Sequence, residues 1–268
     1  MALTAFKSKS TVIITQQIKR RLMANLVAVD NKSHKDIKIN NALVEAHGKN
    51  LHLVPAVVAE FTNLALQYPI VLTKNGDTGE FVCAAMLGFE NKENLFWQDE
   101  QWQGIYLPLQ IQRQPFFIGK NPTKASSENK QESAEHLVCI DTESPAISTT
   151  KGEPLFTAIG EETAYFSQAK NCLAQIMQGE LDNKLLLEQL QEMALIQPIA
   201  LEITFINQQK TRLNGLYTID KKKLAILNNE AVVKLHQLGL LLPIYIMTTS
   251  LGQIYSLIDK KNKQLENN

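Results

Sequence analysis

Apolar positions recur at helical spacing in two stretches of this chain. Residues 55–68, PAVVAEFTNLALQY, place apolar side chains three or four residues apart, which forms one stripe along a helix. Pro55 suits the first turn of that helix, and Pro69 stops it. Residues 161–178 carry a second stripe, and Asp182 is a candidate N-cap for a further helix. The pattern therefore predicts three helices over these segments.

Alternating and short apolar runs predict strands elsewhere. Residues 37–54 mix apolar and polar residues in near alternation, and residues 69–89 contain two apolar runs around an Asn-Gly turn. Residues 199–219 are interpreted as a strand pair, and LLLPIYIM at 240–247 as one more strand. Because strands and helices follow each other irregularly, the predicted fold class is α+β, with mixed sheet strands interleaved irregularly with helices.

Local signals predict helices in the last quarter of the chain. Asp220 precedes a short basic segment and is a candidate helix cap. Gly239 follows the helix predicted over residues 230–238 and is expected to end it. Residues 250–258, SLGQIYSLI, are expected to form a terminal helix.

The domain organisation follows from changes in composition. Residues 1–35 are polar and weakly patterned, which predicts a loosely structured N-terminal arm. Residues 36–262 are expected to form a single α+β domain. Within it, residues 120–135, KNPTKASSENKQESAE, hold nothing that can pack in a core and are predicted to be a mobile surface loop.

Charge and cysteine content narrow the class of protein. The 268 residues carry 27 lysines and arginines against 27 aspartates and glutamates, a formal net charge of zero, which argues against nucleic-acid binding. Three cysteines without CxxC spacing fit reduced thiols. With neither a signal-peptide pattern nor a run of about 18 apolar residues, we expect a cytoplasmic protein without membrane insertion.

No short catalytic motif is present: the chain lacks GxGxxG, GxxxxGK[ST], HExxH and GxSxG. If their segments are strands, Glu45 shares a face with His47, and His34 shares one with Asp36. Such pairs can hold a metal or transfer protons, but surface or hydrogen-bonding histidines are the favoured interpretation. No metal site and no cofactor are predicted, and catalytic residues stay undefined.

Arg113 raises a separate question, because it lies inside the apolar stretch GIYLPLQIQRQPFFI at residues 104–118. Glu60 borders the apolar stripe of its predicted helix, and a partly buried carboxylate needs a partner. We predict that Arg113 is anchored by a carboxylate, Glu60 by preference, or by backbone carbonyls. Pro108 and Pro115 would set the two ends of the loop.

Aromatic residues cluster just before this arginine. Trp97, Trp102 and Tyr106 either cap the edge of the core or form a surface for a ligand or partner. The candidate binding residues are Trp97, Trp102, Tyr106, Arg113, Phe116 and Glu60.

Six ordered segments resemble the SapC family of bacterial proteins. They are VPAVVAEFTNLALQYPIVL, LGFENKENLFW, WQGIYLPLQIQRQPFFI, EPLFTAIGEET, LNGLYTIDKKKLAIL and LGLLLPIYIMTTSLGQI, within residues 40–257. The match includes Glu60, Trp102, Tyr106 and Phe116. It departs at Arg113, where the family pattern can hold a second arginine, so a phosphate clamp is not favoured here.

The resemblance implies an accessory role. Members look associated with TonB-dependent uptake systems, beside cupin-like hydroxylases and flavin-dependent halogenases. The first hypothesis is therefore a non-catalytic cytoplasmic binding protein that pairs with a peptide- or protein-modifying oxygenase or halogenase. One alternative is a metal-dependent, oxygenase-like enzyme that acts on a peptide or small molecule. Another is a surface-layer-associated protein, as the family name suggests. Oligomeric state is left open.

Overall fold

The computed structural model describes residues 26–120 and 136–267. The helices are α1 (Asn41–Glu45), α2 (Phe61–Leu64), α3 (Leu109–Gln112), α4 (Ala164–Glu192), α5 (Lys221–Ala225), α6 (Asn229–Gln237), α7 (Leu241–Ser250) and α8 (Gln253–Glu266). The strands are β1 (Leu26–Ala28), β2 (Lys38–Ile39), β3 (Leu53–Pro55), β4 (Ile70–Lys74), β5 (Phe81–Met86), β6 (Trp97–Gln98), β7 (Gln101–Trp102), β8 (Phe116–Lys120), β9 (His136–Asp141), β10 (Ile147–Ser148), β11 (Glu153–Pro154), β12 (Ile196–Pro198), β13 (Glu202–Thr204), β14 (Lys210–Arg212) and β15 (Leu216–Ile219). The predicted α+β class is confirmed.

A five-stranded antiparallel sheet, in the order β12-β15-β4-β5-β3, forms the centre of the fold. The predicted hairpin at the Asn-Gly turn is its β4–β5 pair. Asn75 Oδ1 accepts from the Asp77 amide at 2.9 Å, and Gly79 adopts a φ of +74° to bring the chain back. Two smaller sheets, β1-β9-β8 and β10-β2-β11, lie on a second apolar cluster.

α4 is one continuous helix of 29 residues, about 43 Å long. The predicted break at Asp182 is wrong, because no helix breaker interrupts the segment. Gly179 stays helical and lets the helix approach Val57, whose Cβ would lie 2.5 Å from a Cβ added at this glycine. The first half of α4 packs on the second cluster through Phe166, and the second half reaches the central core through Leu190.

The segment LLLPIYIM forms most of α7, so the predicted strand is wrong. An apolar run of this length fits a buried helix as well as a strand. Pro243 lies in the first turn, where its missing amide costs no hydrogen bond. By length and composition the stretch Leu241–Glu266 could also span a membrane. In this fold, 39% of its most apolar 18-residue part is buried. Ile244 and Met247 are fully buried, and α7 packs against β4 and β15 of the central sheet.

Two further local predictions, a cap and a helix end, are confirmed, and one predicted pair of strands is wrong. Asp220 caps α5 by accepting from the Lys222 and Lys223 amides, and Gly239 ends the α6 segment at a φ of +70°. The strands predicted over residues 37–54 are interrupted by α1 and a 3-10 turn, because Asn40 caps a helix there.

The boundaries of two predicted segments also differ. Pro55 ends β3 rather than opening a helix, and a 3-10 turn at Val58–Glu60 leads into the short α2. Of the predicted N-terminal arm, Leu26–Ala28 pair with β9 as β1. Residues 1–25 of the arm and residues 121–135 of the predicted loop lie outside the described residues.

Candidate functional site

The buried carboxylate of Glu60 fixes the loop that leads to α3. Glu60 is 1% exposed. Its Oε2 accepts from the Tyr106 hydroxyl at 3.1 Å and from the Leu109 amide at 3.0 Å, and its Oε1 accepts from the Val57 amide at 3.2 Å. Burial raises the pKa of Glu60, and these three donors oppose that rise. The carboxylate therefore joins the Val58–Glu60 turn to the start of α3.

The backbone carbonyl of Tyr106 collects donors from two further segments. The Tyr68 hydroxyl donates to it at 2.6 Å and Trp102 Nε1 at 3.3 Å. Tyr68 is fully buried, and burial raises the pKa of its hydroxyl, which keeps it a proton donor. On the preceding residue, the Ile105 amide donates to Gln67 Oε1 at 3.0 Å. Residues 105–109 are thus held along their length.

Arg113 is 4% exposed and anchored within its own loop. Its Nη1 donates to the Phe116 carbonyl at 2.9 Å, its Nε donates to Gln110 Oε1 at 2.8 Å, and its guanidinium lies 4.3 Å from the centre of the Phe117 ring. The predicted backbone-carbonyl anchor is confirmed. The preferred Glu60 partner is wrong, because Glu60 is satisfied by the hydroxyl and amide donors instead.

Of the aromatic candidates, Trp102 and Tyr106 pack against the central core. Trp97 and Trp102 face each other across the β6–β7 pair, and the Trp102 ring stacks on Phe96 with centroids 6.3 Å apart. Phe116 is fully buried in the second cluster, 5.6 Å from the Phe166 ring. Tyr106 stays half-buried. A ligand-binding role for this set stays a prediction.

The histidine pairs differ from the predicted ones. Glu45 ends α1 and His47 lies in a 3-10 turn, so the two do not share a strand face. His34 lies 3.5 Å from Asp30 rather than pairing with Asp36. Burial lowers the pKa of His47, whose Nε2 is 3.4 Å from Ser144 Oγ. The residues that the structure describes bring no group of three His, Cys, Asp or Glu side chains together for a metal ion.

Sequence reasoning missed a groove between α4 and the central sheet. Its volume is about 540 Å³. None of the six predicted binding residues lines it. The sheet side consists of Pro55–Val57 and Glu80–Cys83, and the helix side consists of Glu180, Asn183, Lys184, Leu187, Glu188 and Gln191, with Gln110 at the rim. The only sequence signal was the spacing of polar residues along one face of α4.

Comparison with known proteins gives one match. The SapC family model matches residues 29–257, which is most of the chain. Searches of curated proteins and of solved structures find no match. The matched range includes the Glu60 network, the Arg113 loop, α4 and α7. The chain belongs to the SapC family.

Proposed function

We propose that this SapC chain is a non-catalytic accessory protein that docks on a protein partner through Ile105. This proposal rests on the exposure of Ile105, which is 85%. The loop that carries it is held by hydrogen bonds at Ile105, Tyr106 and Leu109. Burying an isoleucine side chain contributes about 1.5–3 kcal/mol, and this loop forgoes that gain. A side chain presented on a pre-ordered loop loses little conformational freedom when a partner covers it.

Leu66 is a second exposed apolar side chain, on the segment that holds the Ile105 loop. It is 61% exposed. The neighbouring Gln67 accepts from the Ile105 amide, and Gln253 of α8 donates to the Leu66 carbonyl at 3.1 Å. We call Leu66 and Ile105 together the Ile105 surface. Its supporting backbone comes from three segments distant in sequence, so the surface exists only in the folded chain.

The class of partner comes from the family resemblance. We propose a peptide- or protein-modifying enzyme, either a cupin-like oxygenase or a flavin-dependent halogenase, in a TonB-dependent uptake-linked system. The pair would act in the cytoplasm. In this arrangement the partner supplies the chemistry and the SapC chain supplies binding.

The test measures binding of each candidate enzyme, purified from the same organism, to the immobilised full-length chain. Ile105→Asp should weaken binding about tenfold or more, because it places a charge in an apolar contact. Ile226→Asp and Ile159→Asp are matched controls, since both side chains are 81% exposed elsewhere on the fold. These controls should bind as the wild type does. Failure of the wild type to bind either enzyme class, or equal binding by Ile105→Asp, would refute the proposal.

A further inference from the structure

Strand β3 leaves β5 before it reaches Phe81, the first residue of β5. The two strands pair from Leu53 opposite Met86 to Pro55 opposite Ala84, and the Ala56 amide still donates to the Cys83 carbonyl at 3.0 Å. The next hydrogen-bonded pair in this register would join Val58 to Phe81. The chain instead turns into the Val58–Glu60 3-10 turn.

Asn183 of α4 binds two backbone groups at the point of separation. Its Nδ2 donates to the Ala56 carbonyl at 2.8 Å, and its Oδ1 accepts from the Val58 amide at 2.9 Å. These are the two backbone groups that would otherwise continue the ladder to Cys83 and Phe81. One side-chain amide therefore replaces one further step of strand pairing.

The outer edge of β5 is left open at this point. Peptide groups along a strand point alternately to its two sides. The Met86 amide donates to Pro69, towards β4, so the groups of Val82 and Ala84 also face β4. The backbone amide and carbonyl of Phe81 and the backbone amide of Cys83 then face the groove. In the described part of the chain, no strand pairs with β5 there.

The dimensions of the groove suit a short extended segment. Its helix side runs over the twelve residues from Glu180 to Gln191, a rise of about 17 Å along α4. A β-strand rises about 3.4 Å per residue, so the groove takes about five residues of extended chain. Val57 and Leu187 give it apolar walls on which alternate side chains can pack.

The rim of the groove carries negative charge. Glu80 and Glu180 are both exposed at its edge. Lys184 lies 3.9 Å from Glu188, so those two charges offset each other. The remaining carboxylates favour a ligand with basic side chains.

We propose that this groove binds an extended peptide segment of a partner protein, with basic side chains, as an added strand on β5. Backbone pairing to Phe81 and Cys83 would supply affinity, and Glu80 and Glu180 would select lysine or arginine. The site shares no residue with the Ile105 surface and goes beyond the function proposed above. Either can fail without the other.

The first experiment uses fluorescence anisotropy of the full-length chain with labelled eight-residue peptides. The basic probe alternates valine and lysine, and the acidic control alternates valine and glutamate. A third peptide repeats the basic sequence with N-methyl groups on the backbone edge that would pair. Only the first should bind with saturation. Equal binding by the N-methylated peptide would mean non-specific charge attraction and would overturn the proposal.

Charge reversal tests the role of the rim. Combining Glu80→Lys with Glu180→Lys should weaken binding of the basic peptide about tenfold. A double variant with Glu161→Lys and Glu230→Lys makes the same change in net charge at exposed positions outside the groove. It should bind almost as the wild type does, as should Ile105→Asp. Equal loss in both double variants would refute a specific site.

Amide hydrogen exchange by NMR gives a residue-level readout. Exchange at Phe81 and Cys83 should slow when the basic peptide is added, because their amides gain acceptors. Exchange at Val82 and Ala84 should not change, since those amides already face β4.

If deleting residues 1–25 is required before the peptide binds, the groove belongs to the chain's own N-terminal segment, and the proposal of a separate partner is wrong.

Discussion

Replacing Asn183 by alanine removes both hydrogen bonds that hold the Ala56 carbonyl and the Val58 amide. Each bond contributes about 1 kcal/mol net, so the loss is about 2 kcal/mol. Alanine is about 0.6 kcal/mol better than asparagine inside a helix, which offsets part of it. The expected decrease in the free energy of unfolding is therefore about 1.4 kcal/mol.

The corresponding change in melting temperature is small but measurable. At about 2.1 cal/mol/K per residue, the unfolding entropy of a chain of this length is about 0.56 kcal/mol/K. A loss of about 1.4 kcal/mol then lowers Tm by about 2.5 °C. Urea denaturation followed by circular dichroism measures the free energy directly, and differential scanning calorimetry measures Tm.

Two comparisons make this measurement decisive. Asn183→Asp keeps an acceptor for the Val58 amide but places a carboxylate against the Ala56 carbonyl, so it should destabilise at least as much as alanine. Gln178→Ala, at an exposed position on the same helix, should change stability by less than about 0.5 kcal/mol. If Asn183→Ala unfolds at the wild-type urea midpoint, these hydrogen bonds do not hold the segment, and the explanation of the open β5 edge is wrong.

Three other outcomes follow from buried groups. Gly179→Ala should destabilise the fold by about 1–3 kcal/mol in urea titrations despite the better helix propensity of alanine, because the new methyl group meets Val57; a stabilised variant would contradict the close approach. Burial raises the pKa of Glu60, so its contribution to stability is complete below about pH 4.5 and is lost as the pH rises through the folded-state pKa. As the pH rises, the free energy of unfolding of the wild type should therefore fall relative to that of Glu60→Gln. The opposite trend would refute the assigned direction. Burial raises the pKa of Cys83 to about 12, and its side chain is 2% exposed, so Ellman's reagent should label it only after unfolding; rapid labelling of the native chain would show that the groove opens further.

Interactions between neighbouring residues made parts of the fold predictable. The β4–β5 hairpin rests on its Asn-Gly turn, α5 rests on the Asp220 cap, and the end of α6 rests on Gly239. Each of these signals acts over two or three residues and does not depend on distant contacts. The α+β class followed from the same local patterns.

Predictions failed where long-range packing decided between local alternatives. The run LLLPIYIM is apolar on all sides, so only burial against β4 and β15 makes it the helix α7. Asp182 has the chemistry of a cap, but α4 continues through it because both halves of the helix pack on existing cores. Arg113 and Glu60 were plausible partners by charge, yet hydroxyl and amide donors already satisfied Glu60.

The sequence by itself determined the fold class, the main turns and caps, and a resemblance to the SapC family over most of the chain, because these depend on short segments or on ordered motifs. Only the tertiary structure decided the partners of Glu60 and Arg113 and the position of the groove. Asn183 meets Ala56 and Val58 across more than 120 residues of chain. No local pattern encodes that contact, and the open edge of β5 depends on it.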